Sequence, residues 1–328
     1  MPVPPTGLRI IFTPYHVGLR NHRVGNGPHR ILAMGLEKKL QDLGVKIDIT
    51  EIEPVDDYEG EIGRSFEVLR RVSRAVMQAV LSNQFPLVLS GNCMASAGVA
   101  CGLRAARARQ AQEENEEVGN GDLDLGFIYF DAHDDLDSPD VNENGYFDAM
   151  GLSMLRGESW KTLMRSVPGF EPFEYAGRFL YCGLRDQSAV QRQRVIEAGM
   201  HAVWGGDGDG EKRDFAAQLA VILNEGIYGF IPTLVHLDLD VLDESYGKVN
   251  DYPSPGGIFE EDLVSCLGLV GRKALSRSLT VCSFDPDAGD GDRIAKIAIR
   301  AVVAFVDGLL EMEKLGVDRG GYIVSGVL

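Results

Sequence analysis

Short apolar runs recur along the chain, and polar segments that contain glycine, aspartate or other charged residues separate them. Short runs of this kind, bounded by turn residues, are typical of strands buried on both faces of a sheet. The pattern therefore predicts eight strands. The apolar runs cover residues 8–12, 45–49, 86–89, 125–130, 178–182, 201–204, 233–237 and 278–284.

Helical periodicity fills intervals between the predicted strands. Over residues 61–83, Phe66, Leu69 and Val72 begin a series of apolar side chains at three- and four-residue steps. Residues 292–315 show the same spacing and predict a second long helix with one apolar face. Alternating strands and helices predict an α/β fold, with three α/β/α layers around a mostly parallel eight-stranded sheet.

We find no internal repeat and no linker, so we expect residues 1–328 to form a single domain. Two polar stretches are predicted to be exposed. The acidic stretch 110–124 is predicted to be a loop, and the glycine-rich stretch 205–210 a surface turn. The second contains Asp-x-Asp-Gly, but it lacks the rest of a twelve-residue calcium loop.

The overall charge changes the range of possible partners. The chain has 32 Lys and Arg against 49 Asp and Glu, a formal net charge of −17. This excess argues against nucleic acid or an anionic membrane as a partner, because both attract basic surfaces. Five cysteines without paired spacing, together with the lack of a secretory segment, favour a reducing cytosol. We expect no transmembrane segment, because no apolar stretch reaches about 20 residues.

Two aspartate clusters follow two of the predicted strands. Residues 131–135 read Asp-Ala-His-Asp-Asp, and residues 236–240 read His-Leu-Asp-Leu-Asp. Because alternate residues at a strand end face the same side, three side chains of the first cluster point together, as do two of the second. Such ligands on adjacent strand ends predict a site for two divalent metals, which generates hydroxide at neutral pH. The candidate ligands are Asp131, His133, Asp135, Asp238 and Asp240.

Polar motifs also follow other predicted strands. In open parallel sheets, sites form beyond the carboxyl ends of the strands, so these motifs are expected to converge there. Together with the two aspartate clusters, they are Gly91-Asn92-Cys93, Gly183-Leu184-Arg185-Asp186 and Asp285-Pro286-Asp287.

At these residues the chain resembles the ureohydrolase superfamily, which includes arginases, agmatinases, formiminoglutamases and guanidino-acid hydrolases. Residues 131–135 match the family's Asp-Ala-His-x-Asp signature, and residues 238–243 match its Asp-x-Asp-x-x-Asp signature. Residues 25–28 and 256–258 resemble two of its glycine motifs. The resemblance covers nearly the whole chain and implies an arginase-like fold.

The resemblance also implies a dinuclear metal centre. Asp131 and Asp238 would bridge two ions, with Cys93 and Asp135 completing one site. His133 and Asp240, by the same resemblance, would complete the other site. Family members usually use manganese and form trimers or hexamers. The bridging hydroxide would attack the central carbon of a guanidinium or amidine, and Asp135 would carry its proton to the leaving amine.

Cys93 departs from the family pattern. The family reads Gly-Gly-Asp-His-Ser where this chain reads Ser90-Gly-Asn-Cys-Met94, so a cysteine replaces a metal-binding histidine. Thiolate is a softer ligand and shifts preference towards zinc, iron or cobalt. The chain resembles at this point the hydroxyarginine amidinohydrolase of cycloserine biosynthesis. The alternative is that Cys93 is a small buried apolar residue.

Two further substitutions affect the expected chemistry. Asp148 stands where the family has a catalytic histidine, and an ordinary aspartate is ionised at neutral pH. Asp148 is therefore either a proton shuttle with a raised pKa, a partner for a cationic substrate, or a helix cap. Ser283 stands where arginases clamp the guanidinium with a glutamate, and a neutral hydroxyl cannot form that bidentate clamp.

The expected binding site for the substrate's head group differs as well. Asp137 replaces the asparagine that holds the α-carboxylate in arginases, and its charge argues against free arginine. Asn144 and Tyr146 replace a serine and an asparagine, and Tyr146 is expected to add an aromatic wall. Asp186 matches the family aspartate that holds the substrate's amino group. His236 shares the strand face of Asp238; we interpret it as a buried core histidine, with a partner of a metal ligand as the alternative.

These observations leave three functions open. The leading hypothesis is a dinuclear-metal amidinohydrolase acting on a guanidino, hydroxyguanidino or related small molecule. The second is an arginase-fold enzyme acting on an unusual natural-product intermediate. The third is a non-catalytic scaffold that binds metal for stability.

Overall fold

The computed structural model of the protein describes residues 3–317, except residues 142, 144 and 209–212. Within these residues the chain alternates between strands and helices. The strands are β1 (Leu8–Thr13), β2 (Tyr15–His16), β3 (Leu19–Arg20), β4 (Ile47–Glu51), β5 (Phe85–Ser90), β6 (Gly126–Phe130), β7 (Phe179–Leu184), β8 (His201–Trp204), β9 (Thr233–Asp238) and β10 (Ser276–Cys282). The α-helices are α1 (Gly27–Ala33), α2 (Leu36–Gln41), α3 (Gly60–Leu81), α4 (Ala95–Glu114), α5 (Gly151–Leu155), α6 (Lys161–Met164), α7 (Ala189–Glu197), α8 (Phe215–Glu225), α9 (Glu260–Lys273) and α10 (Gly291–Glu311).

Eight of the strands form one sheet in the order β4-β1-β5-β10-β9-β6-β7-β8. Every neighbouring pair in this sheet is parallel. The predicted eight-stranded parallel α/β fold is therefore confirmed. The remaining strands, β2 and β3, pair antiparallel in a short hairpin that the apolar pattern did not predict.

Helices cover both faces of the sheet, as predicted. Consecutive strand residues face opposite layers, so Ile10 belongs to one core cluster and Ile11 to the other. Helices α9 and α10 pack together on the first face, and α3 packs on α4 on the second. Glycines allow the close α3–α4 contact, because a Cβ at Gly102 would lie 2.5 Å from the carbonyl oxygen of Ser73.

The loop predicted over residues 110–124 is wrong in its first part, because α4 continues through Glu114. The helix is prolonged by an ion pair one turn apart, with Arg109 Nε 2.8 Å from Glu113 Oε1. It ends where Asn115 adopts a left-handed conformation with φ 54°. A 3-10 turn then spans Asn120–Leu123 before β6.

The helix predicted over residues 292–315 ends earlier, at Glu311. Glu313 turns the chain with φ 54°. The ammonium of Lys314 then donates hydrogen bonds to the carbonyls of Gly271, Arg272 and Ala274 at the end of α9. These bonds fasten the chain to the neighbouring helix, so α10 does not continue.

Two remaining expectations concern the surface. Residues 205–208 form no helix or strand, whereas residues 209 and 210 of the predicted turn lie outside the described residues. In the part of the chain that the structure describes, no helix is both long and apolar enough to cross a bilayer.

Candidate metal centre

The aspartate clusters meet at the carboxyl edge of five adjacent strands, β5, β10, β9, β6 and β7. Asp131 follows β6 directly, and Asp238 is the last residue of β9. Cys93 lies beyond β5 and Cys282 ends β10, so both side chains reach the same edge. The convergence expected from the sequence therefore follows from the order of strands in the sheet.

One set of possible ligands, here called the outer group, comprises Asp131, His133 and Asp240. The Nδ1 atom of His133 lies 3.7 Å from Asp131 Oδ1 and 3.3 Å from Asp240 Oδ2. The His133 side chain is 28% exposed, whereas both carboxylates are buried. The outer group thus offers two carboxylates and one imidazole beside solvent.

A second set, here called the inner group, comprises Cys93, His236, Asp238 and Cys282. One ligand atom from each residue lies within 4.8 Å of the others, and all four residues are buried. The Cys93 thiol donates to Asp238 Oδ2 at 2.7 Å and lies 3.5 Å from Cys282 Sγ. Asp131 and Asp135 also come within this distance of Cys93 and His236, so Asp131 belongs to both sides of the centre.

The centre concentrates negative charge away from water. Asp131, Asp135, Asp238 and Asp240 are all at most 7% exposed. Burial raises the pKa of Asp131 to about 7, despite hydrogen bonds with His133 that lower it. Burial, and then the charges of neighbouring carboxylates, also raise the pKa values of Asp135 and Asp238 well above the usual range.

Asp240 differs from the other buried carboxylates. Burial raises its pKa, but the charge of His133 and hydrogen bonds, including one from Asn250, bring it down to about 2. The pKa of His133 rises well above its usual range, because the charge of Asp240 and hydrogen bonds with three carboxylates outweigh burial. The opposite directions of these two shifts share one main cause, the contact between the His133 imidazole and the Asp240 carboxylate.

The donor set fits divalent cations. Asp131 Oδ2 is buried and has no hydrogen-bond partner among the described residues. Burying such an oxygen without a partner is unfavourable, and several buried carboxylates repel one another. Cations bound between them would satisfy the orphaned oxygen and balance the charge. Five of the six predicted ligands line one cavity, namely Cys93, His133, Asp135, Asp238 and Asp240. The sixth, Asp131, lies among them without lining the cavity.

His236 is a buried histidine, as interpreted from the sequence, and it also borders the centre. Its ring is fully buried and stacks on Tyr129, with ring centroids 4.1 Å apart. Nδ1 makes a 2.8 Å hydrogen bond with Ser96 Oγ, which leaves Nε2 directed at the centre. Nε2 lies 3.5 Å from Cys282 Sγ and 3.8 Å from Asp131 Oδ2.

Asp148 is buried and does not cap its own helix. Its Oδ2 accepts from Asn92 Nδ2 at 2.5 Å, and its Oδ1 accepts from Met94 N at 2.8 Å. Met94 precedes α4, so Asp148 caps a helix 54 residues earlier in the chain. Burial raises its pKa to about 6, although these hydrogen bonds oppose the shift.

Two site residues other than glycine have a left-handed backbone. Asp135 has φ 51° and Ser283 has φ 63°. Such conformations are unusual for residues with a Cβ and are maintained by surrounding contacts. The backbone of Ser283 donates to Gly91 O at 2.9 Å and accepts from Asn250 Nδ2 at 3.1 Å.

A cavity of about 320 Å³ opens above the centre. Asp137, Tyr146, Asp148, Asp186 and Ser283 all line it. The Asp186 side chain is 54% exposed, with Oδ2 3.5 Å from His133 Nε2. The Tyr146 ring lies 5.6 Å from the ring of Tyr252. Asn144, the remaining candidate, lies outside the described residues.

The sequence interpretation missed Asn250. Its amide donates to Asp240 Oδ2 at 2.9 Å and to Ser283 O, joining β9 to the loop after β10. No motif marks this residue. The third aspartate of the second signature, Asp243, holds backbone rather than metal, since it accepts from the amides of Gly256 and Gly257.

Arg185 belongs to the motif Gly183-Leu184-Arg185-Asp186, but the sequence predicted no role for its side chain. Its guanidinium donates to six backbone carbonyls, so it ties the loop after β9 to the loop before α9. The acceptors are the carbonyl oxygens of Gly183, Asp240, Val241, Leu242, Ser254 and Pro255. Through Asp240 and its neighbours, Arg185 fixes the position of the outer group.

Comparisons with known proteins agree with this architecture. The sequence model of the arginase family matches residues 8–306. An arginase from Eremothecium gossypii is 26% identical over 270 residues, which cover 76% of this chain and 62% of that protein.

Solved structures with the same fold include two enzymes from Bacillus subtilis. The arginase has a TM-score of 0.74 at 20% identity, covering 92% of this chain and 98% of its own. The formimidoylglutamase has a TM-score of 0.64 at 15% identity, covering 93% of this chain and 88% of its own. At these identities the likeness concerns the fold.

Proposed function

Because the chain belongs to the arginase family, we propose that it is a metal-dependent hydrolase that cleaves a C–N bond. The proposed substrates are guanidino, hydroxyguanidino or related linear amidine compounds. The single observation that carries the proposal is a cluster of buried carboxylates in which Asp135, Asp238 and Asp240 line a 320 Å³ cavity and Asp131 lies beside them. Cavities of this size suit small molecules.

Two divalent cations would be held by the residues already described. The residues that would hold them are Cys93, Asp131, His133, Asp135, Asp238 and Asp240. When bound, such cations lower the pKa of water and so provide a nucleophile at neutral pH. Manganese is the expectation for the family, whereas the thiol of Cys93 favours zinc, iron or cobalt.

We assign the proton transfer to Asp135. Burial and the charges of Asp131 and Asp148 raise its pKa well above the usual range. Asp135 also lines the cavity beside the other buried carboxylates, and a perturbed carboxyl in a cavity is typical of a residue that transfers protons. Asp135 would take the proton from the attacking water and return it to the leaving nitrogen. The C–N bond breaks as the new C–O bond forms, which gives a urea and an amine from a guanidino substrate.

We assign Asp148 to positioning rather than proton transfer. Both of its oxygens accept hydrogen bonds, from Asn92 and from the amide of Met94. These partners flank Cys93, so Asp148 holds the loop that carries the thiol. It replaces the catalytic histidine of the family in sequence, and in our proposal Asp135 carries the proton alone.

The cavity suits a cationic substrate. Its lining includes nine aspartates and a single arginine among the described residues, and Arg23 pairs with Asp251. A negative cavity attracts a guanidinium and repels a carboxylate. Asp137 is one of these aspartates, and its Oδ1 accepts a hydrogen bond from Gln191 at 3.4 Å. We therefore propose a substrate whose head group is neutral or cationic, rather than free arginine.

Urea release tests this function. Purified protein would be incubated with a panel of guanidino and hydroxyguanidino compounds in the presence of manganese, zinc, iron or cobalt. Asp240→Asn should abolish turnover. The exposed Asp287, which does not line the cavity, provides a matched control in Asp287→Asn. Lack of product from the whole panel, with bound metal demonstrated, would count against the proposal.

A second function is favoured by one observation, the neutral hydroxyl of Ser283 at the position of the expected guanidinium clamp. This residue points to an arginase-fold enzyme that acts on an unusual natural-product intermediate. Deleting the gene and profiling small molecules tests it. A compound that accumulates only in the deletion strain would support this function, and an unchanged profile would contradict it.

A further inference from the structure

We propose that the inner group is a thiolate-rich metal site, in which Cys282 and His236 bind the metal together with Cys93 and Asp238. Neither Cys282 nor His236 is among the six positions implied by the family resemblance. The centre would then be asymmetric, with an inner position for zinc or another thiophilic ion. This inference rests on the proposed function only because both concern the same metal centre.

Two distances within the inner group are close to the edges of a tetrahedron around zinc. A tetrahedral zinc ion bonded to sulfur at about 2.3 Å and to nitrogen at about 2.0 Å separates two sulfurs by roughly 3.8 Å, and sulfur from nitrogen by roughly 3.5 Å. Here the sulfurs of Cys93 and Cys282 are 3.5 Å apart, and Cys282 Sγ lies 3.5 Å from His236 Nε2. The shorter contact from Cys93 to Asp238 is a hydrogen bond, whose proton a metal would replace.

His236 is oriented as a ligand rather than merely buried. Ser96 holds Nδ1 by a 2.8 Å hydrogen bond, which fixes the ring and leaves Nε2 for the metal. Metal-binding histidines almost always use the second ring nitrogen in this way. The ring of Tyr129 stacks against the imidazole at an angle of 10° and prevents it from turning.

The chemistry of the two groups predicts different metal preferences. Two sulfurs and an imidazole are soft or borderline donors that select zinc, and cobalt as its spectroscopic substitute. The outer group has two carboxylates and one imidazole, a harder set that accepts manganese. When zinc or cobalt is supplied, we therefore expect the inner position to bind a metal ion before the outer position does.

Cobalt titration of the metal-free full-length protein tests the proposal by absorption rather than by activity. Thiolate-to-cobalt charge-transfer bands should appear with the first equivalent and saturate there. Cys93→Ala and Cys282→Ala should each reduce these bands by about half, and the double variant should abolish them. The matched control is Cys266→Ala, which removes an equally buried thiol outside the centre and should leave the bands unchanged.

A measurement on the unmutated protein covers the case in which a variant does not fold. X-ray absorption at the zinc edge, with one equivalent of zinc bound, should show two sulfur neighbours at about 2.3 Å. His236→Gln should weaken zinc binding by about tenfold or more, whereas its melting temperature without metal should stay near that of the unmutated protein.

Three results would overturn the inference. They are full cobalt bands in Cys282→Ala, a single sulfur neighbour at zinc, or a disulfide between Cys93 and Cys282 in protein isolated under reducing conditions. Failure of the proposed function gives a different result. In that case urea release is absent while the charge-transfer bands and both sulfur neighbours remain.

Discussion

The outer and inner groups lie side by side on the same sheet edge, yet their surroundings differ. The outer imidazole, His133, is 28% exposed and faces the cavity, whereas the inner imidazole, His236, is fully buried under Tyr129. Three carboxylates lie within 3.7 Å of the outer imidazole. The inner imidazole instead directs Nε2 at a thiol, Cys282 Sγ at 3.5 Å, with the Asp131 carboxylate at 3.8 Å. The comparison suggests that the two groups have different roles. The outer group would contact substrate and water, and the inner group would hold an ion that stays bound.

The largest effect is expected from changing Asp131, which belongs to the outer group and also lies within 4.8 Å of Cys93 and His236 of the inner group. Asp131→Asn should lower turnover by at least about 100-fold, because it removes the charge of a proposed metal ligand rather than a supporting contact. Elemental analysis should show that both metals are lost. In metal-free protein the same change should raise the melting temperature, because it relieves repulsion between buried carboxylates. Retention of the inner metal alone would show that Asp131 serves only the outer group.

The second-largest effect is expected from Arg185, a scaffold residue whose loss should affect the outer group more than the inner group. Arg185→Met should destabilise the fold by roughly 3–5 kcal/mol, because buried carbonyls lose their donors. The loop after β9 should loosen, so substrate binding fails while a thiolate–metal signal from the inner group persists. Chemical denaturation measures the first consequence, and cobalt absorption measures the second. Arg178→Met, which removes an arginine before β7, serves as a control.

The pH dependence of stability should change direction when metal is bound. In metal-free protein, burial raises the pKa of Asp148 from 3.8 to about 6 and that of Asp131 to about 7. The folded state therefore binds more protons than the unfolded state, and stability falls as pH rises from about 4 to 7. The depressed pKa of Asp240 adds stability above 3.8 that stays constant over this range.

The expected loss is on the order of 3 kcal/mol from Asp148 alone. Metal binding requires deprotonated ligands, so metal-loaded protein should instead become more stable as pH rises. Thermal melting in chelator and in zinc, over the same pH series, compares the two directions. Asp148→Asn should flatten the chelator curve. Parallel curves with and without metal would contradict the assignment of these carboxylates.

The smallest effect concerns the rim of the outer group. Asp186 is 54% exposed, and its 3.5 Å contact with His133 is screened by water. Asp186→Asn should therefore raise KM by about fivefold or less, with kcat and the inner metal unchanged. Steady-state kinetics with the substrate identified by urea release measures this. A loss of kcat instead would move Asp186 into the catalytic centre.

The fold was predictable because its strands are continuous apolar runs between clear breaks, and all eight were located from that pattern. Similarity to the arginase family is confirmed over residues 8–306. The outer group was also predictable, since Asp131 and His133 share strand parity beyond β6. The alternation of side chains along a strand can be seen in the local sequence, so these two residues could be placed together without knowing the fold.

The inner group was predictable only in part. Cys282 and His236 occur within strands, where a thiol or a lone imidazole is as expected in a core as at a site. What distinguishes them is the adjacency of β5, β10 and β9, which no single strand reveals. The role of Asp148 was equally hidden, because its partners Asn92 and Met94 lie more than 50 residues away in sequence.

Arg185 holds the surrounding loops through hydrogen bonds to main-chain carbonyl oxygens, and this has an evolutionary consequence. Every residue type presents the same carbonyl, so side chains in the loops around Arg185 can be exchanged without loosening the grip. Substitutions in these loops can therefore change which compound the cavity accepts without displacing the carboxylates of the metal centre. A descendant with a new substrate would need to keep Arg185, whereas many of the side chains around it could be exchanged.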